Sequence, residues 1–104
     1  MKSNFSEIIK GDKPVLIDFY ADWCQPCKMQ APILKELKSK LGDDVKIVKI
    51  DTEKNQQLAV KYQVRSIPTL MIFMNGEVKW RKSGVAQAGE LEQVINGLKS
   101  EAQG

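Results

Sequence analysis

The stretch Val15-Leu16-Ile17-Asp18-Phe19-Tyr20-Ala21-Asp22-Trp23-Cys24-Gln25-Pro26-Cys27 decides the fold. Val15 to Ala21 is a short, nearly continuous apolar run, the mark of a strand buried on both faces. A helical pattern then runs to about Leu41. Met29, Ile33 and Leu37 recur at spacings of four, and Leu34 and Leu41 widen the same stripe. Gly42 stands where a helix C-terminus places glycine. Pro32 has no N–H to donate and is expected to kink the helix. Val45 to Asp51 alternates as a second strand. Strand, helix and strand in one sheet imply a right-handed parallel crossover.

Upstream, Asn4 to Lys10 reads as a short helix, with Asn4 as N-cap and Phe5, Ile8 and Ile9 on one face. Gly11 to Pro14 break it. Downstream, a helix from Gln56 to Tyr62 leads to Val64-Arg65-Ser66-Ile67-Pro68. Strands Thr69 to Met74 and Glu77 to Ser83 flank Asn75-Gly76, the strongest short-range hairpin signal. Gly84 closes the hairpin. Gly89 to Lys99 makes a last amphipathic helix with Leu91, Val94, Ile95 and Leu98 inward, and Trp80 packs beneath it. Ser100 to Gly104 is expected to be a frayed polar tail. The architecture is α/β: βαβ followed by αββα, a central mixed sheet with helices on both faces.

The chain of 104 residues fits one domain spanning 1–104. Apolar residues make up 42% and charged residues 28%, ordinary values for a globular domain, so a single core is expected and disorder is not. The net charge of +3 is mild. The tightest basic cluster, Lys79-Arg81-Lys82 around Trp80, has no nucleic-acid motif beside it and reads as the wet face of a strand. No nucleic-acid partner is expected. Met1-Lys2-Ser3-Asn4-Phe5 opens no apolar run of signal-peptide length, and nothing approaches the roughly 18 apolar residues of a membrane span. A cytoplasmic protein with no membrane partner is the expectation.

There are two cysteines and no histidine. A closed structural zinc site needs about four Cys or His ligands, so no metal is expected. The cysteines are left with redox chemistry or none. With Cys24 as N-cap, Cys27 is N3, and the Cys24 sulfur takes the place of a capping oxygen before that N–H. Unsatisfied N–H groups and the helix dipole favour a thiolate there, lowering the thiol pKa from about 8.5 to near 7 or below. Residues three apart on a helical turn have Cβ atoms about 5–6 Å apart, which suits a small disulfide. Pro26 presets the first turn. The pair follows the carboxyl end of a strand, where open α/β sheets place their chemistry, so one face of it should be exposed. Asp18 stands out because it interrupts an apolar strand. A carboxyl buried there has a raised pKa, useful for moving protons near neutrality.

The run from Val15 to Lys28, then Ala31-Pro32, Val64-Arg65-Ser66-Ile67-Pro68-Thr69, Phe73-Met74-Asn75-Gly76 and finally Gly84, resembles the thioredoxin family in order and over nearly the whole chain. The resemblance implies the thioredoxin fold and a thiol–disulfide oxidoreductase. It makes Cys24 the nucleophile that attacks a substrate disulfide and Cys27 the resolving thiol. Asp18 is similar to the family's buried carboxylate, which helps deprotonate the resolving cysteine through water. Lys49 resembles the lysine near that carboxylate on the neighbouring strand. Pro68 resembles the family's cis-proline, whose preceding residue, here Ile67, hydrogen-bonds an extended substrate segment. Trp23, Ile67, Pro68 and Gly84, with Gln25 and Pro26 between the cysteines, form the substrate-binding rim.

The chain departs from the family in three places, one of them Trp80, which is bulky for a hairpin strand. Gln25 stands where most members have glycine, inside the dipeptide that tunes thiolate stability, so the reduction potential is open. The sequence starts at the first helix, so the N-terminal edge strand is missing or vestigial; Val45 to Ile50 is then a sheet edge, blunted by Lys46. The leading expectation is a monomeric protein-disulfide reductase contributing to cell redox homeostasis. Its partners are disulfide-containing proteins and a thioredoxin reductase. It needs no cofactor beyond the redox-active Cys24–Cys27 pair, with electrons from NADPH through that separate reductase. The alternatives are an oxidase or isomerase poised by Gln25, and a binding module without turnover.

Overall fold

In the computed structural model, which describes residues 4–103, the apolar run becomes β1 (Val15–Tyr20) and passes directly into α2 (Gln25–Leu41). A short helix α1 (Phe5–Ile8) precedes β1. After α2 come a single 3-10 turn (Gly42–Asp44), β2 (Lys46–Asp51), α3 (Gln56–Lys61), β3 (Thr69–Met74), β4 (Glu77–Ser83) and α4 (Ala88–Gln103). The sheet order is β2-β1-β3-β4, with β1 parallel to β2 and antiparallel to β3, and β3 antiparallel to β4. β2 is thus an edge, as expected, and Lys46 on it is exposed.

Strand alternation divides the core in two. Leu16, Leu70 and Ile72 face Leu34 and Leu37 of α2 and Leu91, Ile95 and Leu98 of α4. Val15, Ile17, Phe19, Met71 and Phe73 face the other way, against Phe5, Ile8 and Ile9 and, from α3 and its loop, Leu58, Tyr62 and Val64. Side chains on a strand alternate faces, so Asp18 lies on the α2 side with Leu16 and Tyr20. Phe5, Tyr62 and Phe73 lock α1 to the α3 end, with ring centroids 5.5–5.7 Å apart. Trp80 packs on the α2/α4 cluster, as expected. The ladder slips between Ile72 and Phe73, leaving Lys79 as the extra residue that brings Trp80 opposite Ile72.

Positive φ shapes the hairpin turn and the end of α2. Asn75 at 56° and Gly76 at 80° make the hairpin that Asn-Gly announced, and Gly42 at 54° ends α2. Other expectations need correction. Met29 is 58% exposed, and Gln30 takes its place inside. The buried stripe of α2 is Cys27, Gln30, Leu34 and Leu37, spaced three, four and three, as a 3.6-residue helix requires. α1 is one turn only. β1 and α3 each end one residue early, and β2 starts one residue late. α4 runs on to Gln103, so the tail does not fray at Ser100: Ser100, Glu101, Ala102 and Gln103 contain no breaker. Met1, Lys2 and Ser3, read above for a leader, and Gly104 lie outside the described residues. No helix among the described residues is long and apolar enough to cross a membrane.

Leu37 is fully buried where α2 meets the sheet. Leu37→Ala should cost about 2–5 kcal/mol of stability. The check is a lower urea midpoint at unchanged slope.

Candidate active site

The end of β1 delivers its chain straight into the first turn of α2. The Cys24 N–H donates to the Ala21 carbonyl (3.2 Å), which tightens the passage from strand to helix. Cys24 is the N-cap, with extended φ of −85° and ψ of 114°. Its Sγ accepts from the Cys27 backbone N–H at 3.2 Å, as the capping argument requires. Gln25 and Pro26 occupy the first two helical positions and are exposed. Pro26 therefore falls where a missing N–H leaves nothing unpaired. The two cysteines are joined as a disulfide, with Cα atoms 5.2 Å apart.

The pair is less open than its loop position predicts. Cys24 is 3% and Cys27 5% exposed, because with Ala21 they form a small cluster covered by Tyr20 and Ile67. Ile67 comes from the far loop, and its carbonyl oxygen lies 3.7 Å from Cys24 Sγ. The Ile67–Pro68 peptide bond is cis. This loop is tied down on three sides. Gly84, at φ 97°, donates its N–H to the Pro68 carbonyl (2.8 Å). Thr69 Oγ1 donates to the Ser66 carbonyl (2.6 Å). Arg81 donates its guanidinium to the carbonyls of Tyr62 and Gln63, where a positive φ ends α3. The basic cluster is thus structural: Lys79 pairs with Glu77 and Lys82 with Glu90.

Trp23 stands 65% exposed beside the cysteines, so it is not core packing. Its indole Nε1 donates to Glu53, in the turn that Asp51 Oδ1 braces by accepting the N–H groups of Glu53 and Lys54. Around the cysteines Trp23 is exposed, Ile67 and Gly84 are half-buried, and the cis-Pro68 is buried. A hollow of about 630 Å³ between α1 and α3, lined by Phe5, Ile8, Ile50 and Leu58, includes none of them.

Asp18 is fully buried, and neither carboxyl oxygen has a hydrogen-bond partner among the described groups. Burial pushes its pKa up from 3.8 to about 6, against the downward pull of Lys49. Lys49 is the residue paired with Asp18 across β1 and β2. Its ammonium sits 4.5 Å from the centre of the Tyr20 ring, a cation–π contact. Tyr20 thus touches both the cysteine cluster and Lys49.

A family model for thioredoxin matches residues 1–97. The chain belongs to the thioredoxin family. A thioredoxin-like protein of Synechocystis sp. is 49% identical over 94 residues, covering 89% of this chain and 90% of the relative. The thioredoxin of Rickettsia bellii is 45% identical over 95 residues, covering 91% and 90%. A chloroplastic thioredoxin Y of rice is 49% identical over 89% of this chain, which spans 56% of that protein. Among solved structures, a mutant thioredoxin from Halobacterium salinarum superposes with a TM-score of 0.84 at 35% identity, covering 94% of this chain and 85% of its own. As a thioredoxin the chain is a thiol–disulfide oxidoreductase, and the mixed sheet with helices on both faces is the thioredoxin fold.

Two residues around the thioredoxin site escaped the sequence reading. Glu53 holds Trp23, and nothing in a polar turn marks one carboxylate out from its neighbours. Gln30 does carry a signal, since it falls at i+3 from Cys27 and i−4 from Leu34 on the buried stripe.

The raised pKa of Asp18 has a consequence for stability. The folded state holds this proton more tightly than the unfolded chain, so stability falls as pH rises from about 3.8 to about 6 and then levels. The loss at neutral pH amounts to about 3 kcal/mol. Asp18→Asn should recover about 2–3 kcal/mol at pH 7 and flatten that part of the profile. Urea unfolding between pH 4 and pH 7.5 measures both.

Proposed function

We propose that this thioredoxin is a protein-disulfide reductase with Cys24 as nucleophile and Cys27 as resolving thiol. The observation that supports it most directly is the Cys24 sulfur at the N-cap of α2, accepting from the Cys27 N–H and facing the Ile67 carbonyl beside a cis-proline. A sulfur in that position is stabilised as thiolate by the helix start.

In the forward step the Cys24 thiolate attacks one sulfur of a substrate disulfide. The substrate S–S bond breaks, a Cys24–substrate disulfide forms, and the departing substrate thiolate takes a proton from water. Asp18, ionised near neutrality and on the α2 side of β1, then accepts the Cys27 proton. The Cys27 thiolate attacks Cys24 Sγ, the mixed disulfide breaks, and the second substrate thiolate leaves and is protonated. Two electrons have passed to the substrate, and the Cys24–Cys27 disulfide remains. Lys49 bears on the step by opposing the desolvation that raises the Asp18 pKa. The near-complete cover over the pair favours a thin, extended substrate segment, laid across Trp23, Ile67, Pro68 and Gly84 with Gln25 and Pro26 at its edge.

The disulfide is returned to the dithiol by a separate thioredoxin reductase drawing on NADPH, and no prosthetic group enters. Action as a monomer in the cytoplasm, in redox homeostasis, completes the proposal.

Cys24→Ser should abolish insulin reduction, whereas Cys27→Ser should accumulate mixed disulfides, visible on non-reducing gels and reversed by dithiothreitol. A reduction potential near −270 mV in glutathione buffers would agree with a reductase. A potential of about −180 to −120 mV would instead make Gln25 the mark of an isomerase or oxidant.

A further inference from the structure

Gln30 is a carboxamide fully buried on the stripe that packs α2 onto the core, one turn beyond Cys27. An amide in such a place is tolerated only when its donor and acceptor are both matched. Both are matched by a single residue, Ala86: Nε2 donates to the Ala86 carbonyl, and Oε1 accepts the Ala86 N–H, each at 2.9 Å. The side chain imitates a strand neighbour for one residue of the segment joining β4 to α4. Ala86 is itself fully buried, so its two backbone groups have no recourse to water.

We infer that Gln30 is a positioning residue for substrate docking, holding the 84–87 segment, and through it Gly84 and the cis-proline loop, in register with the cysteine helix. The links close a ring. Cys27 donates to Cys24, Cys24 faces Ile67, Pro68 accepts from Gly84, and Ala86 is held by Gln30. The last β4 residue, Ser83, pairs with Thr69 and anchors one end of the segment, while α4 begins at Ala88 on the other. Between these anchors Gly84 adopts a φ that only glycine reaches without strain. The Gln30 clamp is the polar contact that ties this segment to α2. An apolar side chain in its place fills the volume but strands the Ala86 N–H and carbonyl, and the segment must shift to hydrate them.

The inference rests on the docking rim proposed above, and the test separates the two. Reduced protein is mixed with insulin in single-turnover experiments, and separately with a small aromatic disulfide, 5,5′-dithiobis(2-nitrobenzoate). Gln30→Met and Gln30→Leu are both made, so that failure of one to fold leaves the other. In the folded variants the half-saturating insulin concentration should rise about tenfold, the equivalent of about 1.4 kcal/mol. The limiting rate and the small-disulfide rate should stay within about twofold, and the pH midpoint of Cys24 alkylation within about 0.3 unit, the same factor on a logarithmic scale. Leu37→Ala, which weakens the same helix without touching Ala86, should lower the melting temperature yet leave half-saturation alone. Half-saturation unchanged in a folded Gln30 variant, with Trp23→Ala raising it, overturns the role of Gln30 and leaves the rim standing. If Trp23→Ala and Ile67→Ala also have no effect, the rim itself falls and the inference with it. A rise shared equally by Leu37→Ala reduces Gln30 to a contributor to stability.

Discussion

The N–H groups of a helix's first turn have no carbonyl within the helix to meet. In this chain the Cys27 N–H meets a sulfur, and β1, α2 and the loop carrying Ile67 surround it. β1, central in the sheet and buried on both faces, ends four residues before it. Leu34 and Leu37 fasten the helix to the core, so its positive end cannot tilt away. Pro26 places its missing N–H inside the first turn, where no bond is forfeited. The sulfur therefore starts the helix as an N-cap oxygen does elsewhere.

The opposite wall of the site is made of loop, and loops hold position only when their backbone groups are accounted for. Here they are. The α3 end is closed by a positive-φ turn whose carbonyls take up Arg81, the turn before the cis-proline is bridged by Thr69, and the β4 exit is fixed by Gly84 and Gln30. Such constraint suits a reaction in which three sulfurs must line up in turn. The fold gives the basic residues of β4 roles that the reading of a wet strand face did not supply: Arg81 serves the far loop, and the two lysines find carboxylates.

How much of this was legible depended on whether the signal was local. Hairpin strands Thr69–Met74 and Glu77–Ser83 were read to the residue, because Asn75-Gly76 fixes the turn between them, although nothing local announced the slip at Lys79. Cys24 as N-cap was equally legible, since capping depends on a few neighbouring residues. Met29 misled because a spacing of four drifts off a 3.6-residue helix within two turns, while Gln30 looked polar and therefore outward. Its partner Ala86 lies 56 residues away, and no pattern along the chain announces that an amide will be met there. The same holds for Glu53 and Trp23, which only the parallel pairing of β1 with β2 brings together. The cysteines proved more covered than a strand-end loop suggests, because the cover, Ile67, arrives from a distant segment.

Asp18 shows the opposing pull of folding and chemistry. A globular domain of this kind is stable by only about 5–15 kcal/mol, and the buried carboxyl sets about 3 kcal/mol against that at neutral pH. A leucine on that strand face would be the better packer. What the carboxyl brings is a pKa near 6, within reach of the pH at which a thiol must lose its proton. Lys49 keeps the shift from growing larger, and the Tyr20 ring under its ammonium gives that charge a place to rest. The intermediate value follows from desolvation outweighing a partner on an exposed edge strand, where solvent screens the attraction. The openness of β2 at the sheet edge, which looks like a weakness of the fold, therefore bears on the protonation of Asp18 as well.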